Sequence, residues 1–146
     1  MISPTALGDI AHVIQLAIAP VFLLTGVGTL LAVLSGRLSR AVDRGRVLEK
    51  QLPELTGDAL ARAHEELRLL ARRTRLIYSA ISLAVGCALF VCLLIAVAFI
   101  DAFLAADLAK TVAALFVLAM LALIGCLVVF LREIFLAVTS AQRRMH

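Results

Sequence analysis

The sequence predicts an all-α integral membrane protein with three transmembrane helices, the first and second extended into a cytoplasmic antiparallel helical hairpin. Three observations carry this. Of 146 residues, 63% are hydrophobic and 16% charged, against roughly 45–50% and 25% in soluble domains, and a soluble domain of this length has no interior large enough to hide the difference. Residues 76–100 and 111–131 hold no charged side chain, and at about 1.5 Å per residue each run exceeds the ~30 Å thickness of the hydrocarbon layer. The charges are segregated: of fourteen Lys and Arg, ten lie between Arg37 and Arg75, three follow Leu131, and the last is Lys110.

The first span, 10–35, carries His12, Gln15 and Pro20 within its apolar run. Pro20 lacks a backbone donor and crowds the carbonyl of Leu16, so a kink or a break is expected there. Residues 20–34 alone make roughly 22 Å of helix, so residues before Pro20 either contribute to the crossing or lie in the outer interface as an amphipathic lead-in, and one kinked span is the reading favoured. Beyond the span, Leu34, Leu38, Ala41, Gly45, Leu48 and Leu52 follow a four-three spacing, which keeps one stripe on one helix face and predicts that the helix continues to about Leu52. Pro53, Thr56 and Gly57 mark a turn, and Asp58 is suited to cap a returning helix with Arg62 one turn later as its charge partner. On that helix Leu60, Ala63, Leu67, Leu70, Thr74, Ile77, Ile81, Ala84, Ala88, Val91 and Ile95 carry the seam into the second span. Segment 36–75 is thus a helical, coiled-coil-like hairpin, 76–100 the second span, 101–110 an outer turn, 111–131 the third span and 132–146 a cytoplasmic tail.

Orientation follows from Lys and Arg near the helix ends. Segment 36–75 and the tail hold thirteen basic and seven acidic residues, +6; the N-terminal residues and the 101–110 turn hold one basic and three acidic, −2. Together these make the formal +4. The expected place is therefore the bacterial cytoplasmic (inner) membrane, N-terminus outside and C-terminus inside. The basic character belongs to one membrane face and argues against nucleic acid as a partner. The residues before the first apolar run contain Asp9 and no Lys or Arg, so they are expected to remain in the mature protein rather than act as a cleaved signal.

Four stretches resemble a family of small bacterial membrane proteins catalogued as domain of unknown function 2721: Ile14 to Gly26 (IQLAIAPVFLLTG), Val42 to Glu49 (VDRGRVLE), Arg72 to Ile77 (RRTRLI) and Phe130 to Glu133 (FLRE). The resemblance implies three membrane helices. It implies no activity and no catalytic residues.

Other constellations carry less. Cys87, Cys92 and Cys126 sit in apolar runs without ligand-type neighbours, so neither a disulfide framework nor zinc is expected. Gly26-Val27-Gly28 lacks the third glycine and the preceding strand of a dinucleotide loop, and His64-Glu65-Glu66 lacks the second His of a zincin. Asp9 and His12 share a face but are too few to hold a metal. No nucleophile with a base and orienting group is visible, so no enzyme, cofactor or metal is expected. Arg72, Arg73 and Arg75 crowd the inner boundary, where they are expected to anchor to the headgroups of membrane lipid. Arg132 and Glu133, at the end of the third span, are within reach of the same boundary and of an interfacial ion pair with the returning helix.

Stepping by three and four from His12 collects Gln15, Ala19, Phe22, Gly26, Thr29, Val33, Gly36, Arg40 and Asp43, mostly small or polar, while Ile14, Ile18, Val21, Leu24, Leu31 and Leu34 fall on other faces. Such a stripe suits close helix packing or a water-exposed face. Three helices are too few to enclose a pore, so conduction would require a homo-oligomer with the first helix innermost. The expectation is a homo-oligomeric ion channel or pore-like protein lined by His12 through Arg40, with Asp9, Asp101 and Asp107 as an outer acidic ring favouring cations. The alternative is a non-conducting scaffold or adaptor whose cytoplasmic hairpin binds a protein partner.

Overall fold

A computed structural model describes residues 4–104 and 107–142. Arg143, Arg144 and His146 of the expected tail lie outside the described residues, as does the side chain of Asp9. Three helices make up almost the whole described chain: α1 (Pro4–Gln51), α2 (Gly57–Leu104) and α3 (Ala109–Gln142), with a short 3-10 turn, Leu52–Glu54, between the first two. Among the described residues there is no strand. All three helices are long and apolar enough to cross a membrane.

Helices α1 and α2 have 48 residues each and α3 has 34, or about 72 Å and about 51 Å of helix. All three therefore exceed the ~30 Å hydrocarbon layer. For α3 this departs from the sequence reading, which ended the helix near Leu131. Ile134, Phe135, Leu136 and Val138 continue the apolar pattern past Arg132 and Glu133, and the Thr139 hydroxyl donates back to the Phe135 carbonyl at 2.9 Å, so helix formation outlasts the span. Helix α1 runs unbroken through Pro20. A proline forfeits one hydrogen bond, but in an apolar setting the remaining backbone groups have no partners outside the helix, which holds both flanks helical.

The α1–α2 connection falls where the prolyl and glycyl residues placed it. Leu55 N–H donates to the Leu52 carbonyl at 3.2 Å, and Gly57 takes a φ of +59°, a left-handed conformation that costs glycine little. Asp58 is not a cap: it lies inside the first turn of α2, and Arg62 Nε donates to its backbone carbonyl at 3.3 Å rather than to its carboxylate.

Burial recurs every seventh residue. The inward rows are Val27, Leu34, Ala41 and Leu48 on α1, Ala63, Leu70, Ile77, Ala84 and Val91 on α2, and Ala119, Cys126 and Glu133 on α3. The alternate seam positions, Leu38, Gly45 and Leu52 on α1 and Leu67, Thr74, Ile81, Ala88 and Ile95 on α2, are half-buried. A second buried row on α2, Ala80, Cys87 and Leu94, was invisible in the sequence because every face of that span is apolar. Ala and Cys alternate with Leu, Ile and Val in these rows, and the small side chains let helix backbones approach closely where lipid supplies no hydrophobic drive to associate.

The chain divides into two compact units, one formed by Met1–Leu31 and Leu83–Ile124, the other by Ala32–Ser82 and Gly125–His146. Within the second, Arg44 Nε of α1 donates to Glu66 Oε1 of α2 at 2.9 Å. That bond, followed by the attraction of the Glu66 charge, raises the Arg44 pKa. A raised basic pKa stabilises the fold at every pH below the unfolded value and fails only when pH rises through the folded one, so for arginine no pH window in ordinary use is affected. The Arg44 side chain is nearly half exposed, and Arg44→Ala is expected to cost less than about 1 kcal/mol in a detergent unfolding titration.

Candidate functional site

The most tightly organised polar group lies in the second unit, where each helix contributes one residue. Arg37 follows the α1 apolar run by three residues, Arg73 precedes the α2 run by three, and Glu133 follows the α3 run by two. Glu133 occupies a core row, seven residues beyond Cys126, and is 1% exposed. Arg73 grips its Oε1 with two donors, Nε at 3.1 Å and Nη2 at 3.0 Å. Arg37 Nη2 stands 2.7 Å from Oε2. This second contact is an ion pair without hydrogen-bond alignment, since neither Glu133 Oε2 nor Arg37 Nε has a hydrogen-bond partner among the described residues. The Arg37 guanidinium also lies over the Phe130 ring, 5.5 Å from its centroid, within cation–π range. Two guanidinium groups, each about a quarter exposed, thus share one buried carboxylate.

This arrangement changes the reading of the basic boundary. Arg73 faces inward onto Glu133, whereas Arg72 and Arg75 are exposed; of the three expected headgroup anchors, only these two present free faces. The expected ion pair of Glu133 with the returning helix exists but is buried, and Arg37 joins it. Sequence reasoning missed Arg37, although a glutamate in step with Ala119 and Cys126 was the available signal.

The α1 stripe turns away from the core. His12, Gln15, Ala19, Phe22, Gly26, Thr29, Val33, Arg40 and Asp43 are exposed and Gly36 is half-buried. A Cβ at Gly26 would meet nothing within 4 Å, so packing within the chain does not require a glycine there. Thr25 Oγ1 donates to the Val21 carbonyl at 3.3 Å and Thr29 Oγ1 to the Thr25 carbonyl at 3.1 Å, which leaves each hydroxyl oxygen as an outward acceptor. The bulky Ile14, Ile18 and Val21 are exposed as well, so the N-terminal part of α1 is open on several faces.

The two acidic residues near the α2–α3 connection have separate roles. Asp101 Oδ1 accepts the Leu108 N–H at 3.0 Å, and the Leu108 carbonyl in turn accepts from Thr111 and Val112 at the start of α3. Asp101 therefore closes the turn, while Asp107 is exposed.

The family model described as Protein of unknown function (DUF2721) matches residues 17–143. The chain belongs to that family. The DUF2721 match takes in α2 and α3 whole and α1 from Ala17 onward, and includes Arg37, Arg73 and Glu133. No curated protein and no solved structure matches the chain.

Proposed function

We propose that this chain is a homo-oligomeric, pore-like protein of the bacterial inner membrane, with the α1 stripe lining the axis and cations favoured at the outer end. The supporting observation is the outward position of the stripe: its small and polar residues are left free by their own chain, and a second copy can meet them. Because three helices enclose no channel, any aqueous path runs between copies. The thirteen-to-one distribution of basic residues supports an outer N-terminus, with the Arg44–Glu66 hairpin and the α3 extension in the cytoplasm. No step of this reading is enzymatic.

The test is cysteine accessibility in a background lacking Cys87, Cys92 and Cys126, followed by flux. Thr29→Cys is expected to react with a small, charged thiol reagent, and Leu89→Cys, which is also exposed, to stay protected by lipid. Gly26→Leu is expected to cut liposome flux at least tenfold while the oligomer keeps its mass. Equal protection of Thr29→Cys and Leu89→Cys, or a monomeric mass, overturns the pore.

One observation favours the adaptor reading instead: a groove on the hairpin lined by Val42, Gly45, Glu49, Leu67, Ala71 and Tyr78 among others. A scaffold would show no flux above empty liposomes.

A further inference from the structure

The buried cluster is not electrically balanced. Arg37 and Arg73 share one carboxylate, and an arginine does not shed its proton in a protein, so one positive charge stays in a site that is mostly withdrawn from water. Arg37 Nε is a buried donor without a partner among the described residues. One turn along α1, Arg40 folds back over Gly36: its Nη1 stands 3.8 Å from the place a Cβ would occupy there. Arg40 has no carboxylate partner among the described residues. Gly36, the residue before Arg37, therefore leaves a side-chain-free notch that the Arg40 guanidinium covers, where α1 leaves its apolar run.

We propose that Arg37, Arg40 and the Gly36 notch, backed by the Arg73–Glu133 pair, form a binding site for a phosphate oxyanion at the membrane boundary. The chemistry of the site selects the ligand. Guanidinium groups present paired N–H donors matched to phosphate oxygens. Glu133 cancels one of the three arginine charges at the site, so two positive charges remain, enough for a singly or doubly charged phosphate group. Both an anionic lipid headgroup and free phosphate carry this group, and residues bordering the apolar runs stand where headgroups lie. Conduction plays no part in the inference, so a failed pore leaves it standing.

Thermal unfolding in a zwitterionic detergent tests it. Wild-type protein and Arg62→Gln, which removes a distant exposed arginine, are titrated with inorganic phosphate, short-chain phosphatidylglycerol and phosphatidylcholine of the same chain length. Chloride at matched ionic strength serves as the baseline. Phosphatidylglycerol is expected to raise Tm by several degrees in both proteins. Phosphatidylcholine, whose phosphate carries its own cation, is expected to do less. Arg37→Gln and Arg40→Gln should weaken the apparent affinity at least tenfold. A shift with inorganic phosphate as well assigns the site to phosphate at large; a shift with phosphatidylglycerol alone assigns it to the headgroup. Arg40 is exposed and its glutamine variant should fold, so a full shift in Arg40→Gln overturns the proposal whether or not Arg37→Gln folds. Absence of any shift in wild type overturns it too.

Discussion

Glu133→Ala is expected to destabilise the solubilised protein by about 3–5 kcal/mol, the usual result of removing one member of a buried ion group. The loss comes less from the missing contacts than from what stays behind. Arg37 and Arg73 would face each other across a vacated core position, both positively charged and neither able to neutralise by losing a proton. Their partial exposure sets the lower end of the range, since each guanidinium retains some access to solvent. Glu133→Gln is expected to fall slightly short of the alanine variant, because the amide refills the volume and accepts one hydrogen bond while supplying no charge. Converting the cluster to Arg37→Leu, Arg73→Met and Glu133→Leu together should recover most of the loss, because packed apolar side chains need no desolvated partner. Chemical unfolding followed by circular dichroism measures all three. A Glu133→Ala cost below about 1 kcal/mol would mean that both arginines swing out to water and that the carboxylate does not hold the helices.

A comparable effect is expected from Ile77→Asp. Ile77 is fully buried, seven residues from Leu70 and Ala84 in the main α2 row, and sits one position inside the second apolar run. A carboxylate there is fully buried with Arg73, one turn back, already held by Glu133, so it adds the cost of an uncompensated buried charge to that of an acidic residue in a span. Ser79→Asp, two residues further and exposed, meets the same insertion cost without losing a packed side chain, so it is the matched control and should be the milder of the two. Loss of folded protein in the first variant with retention in the second establishes the row as the packing seam. Equal behaviour of the two would place the seam on another face. Leu67→Asp should be milder than Ile77→Asp, because Leu67 is only half-buried and its carboxylate can reach water at the edge of the hairpin.

The sequence by itself determined the number of helices, the place of the connection and the face of the seam in α1 and α2. Those follow from one-dimensional quantities: run length against bilayer thickness, proline and glycine at 53 and 57, and a four-three spacing that stays readable wherever polar residues interrupt it. The positions 34, 41 and 48 on α1 and 63, 70 and 77 on α2 were legible because Arg, Glu and Asp occupy the other faces of the same segments. Inside the spans that contrast vanishes. The buried row Ala80, Cys87 and Leu94 is surrounded by residues just as apolar, so only three-dimensional packing selects it. The continuation of α3 to Gln142 and the burial of Glu133 were decided in the same way. A glutamate next to an arginine at the end of a span reads as interfacial, and its carboxylate becomes a core group only because Arg37 and Arg73, 36 residues apart in sequence, arrive beside it from two other helices. Pairing of distant charges depends on which faces meet, and that information resides in the tertiary structure rather than in any local pattern.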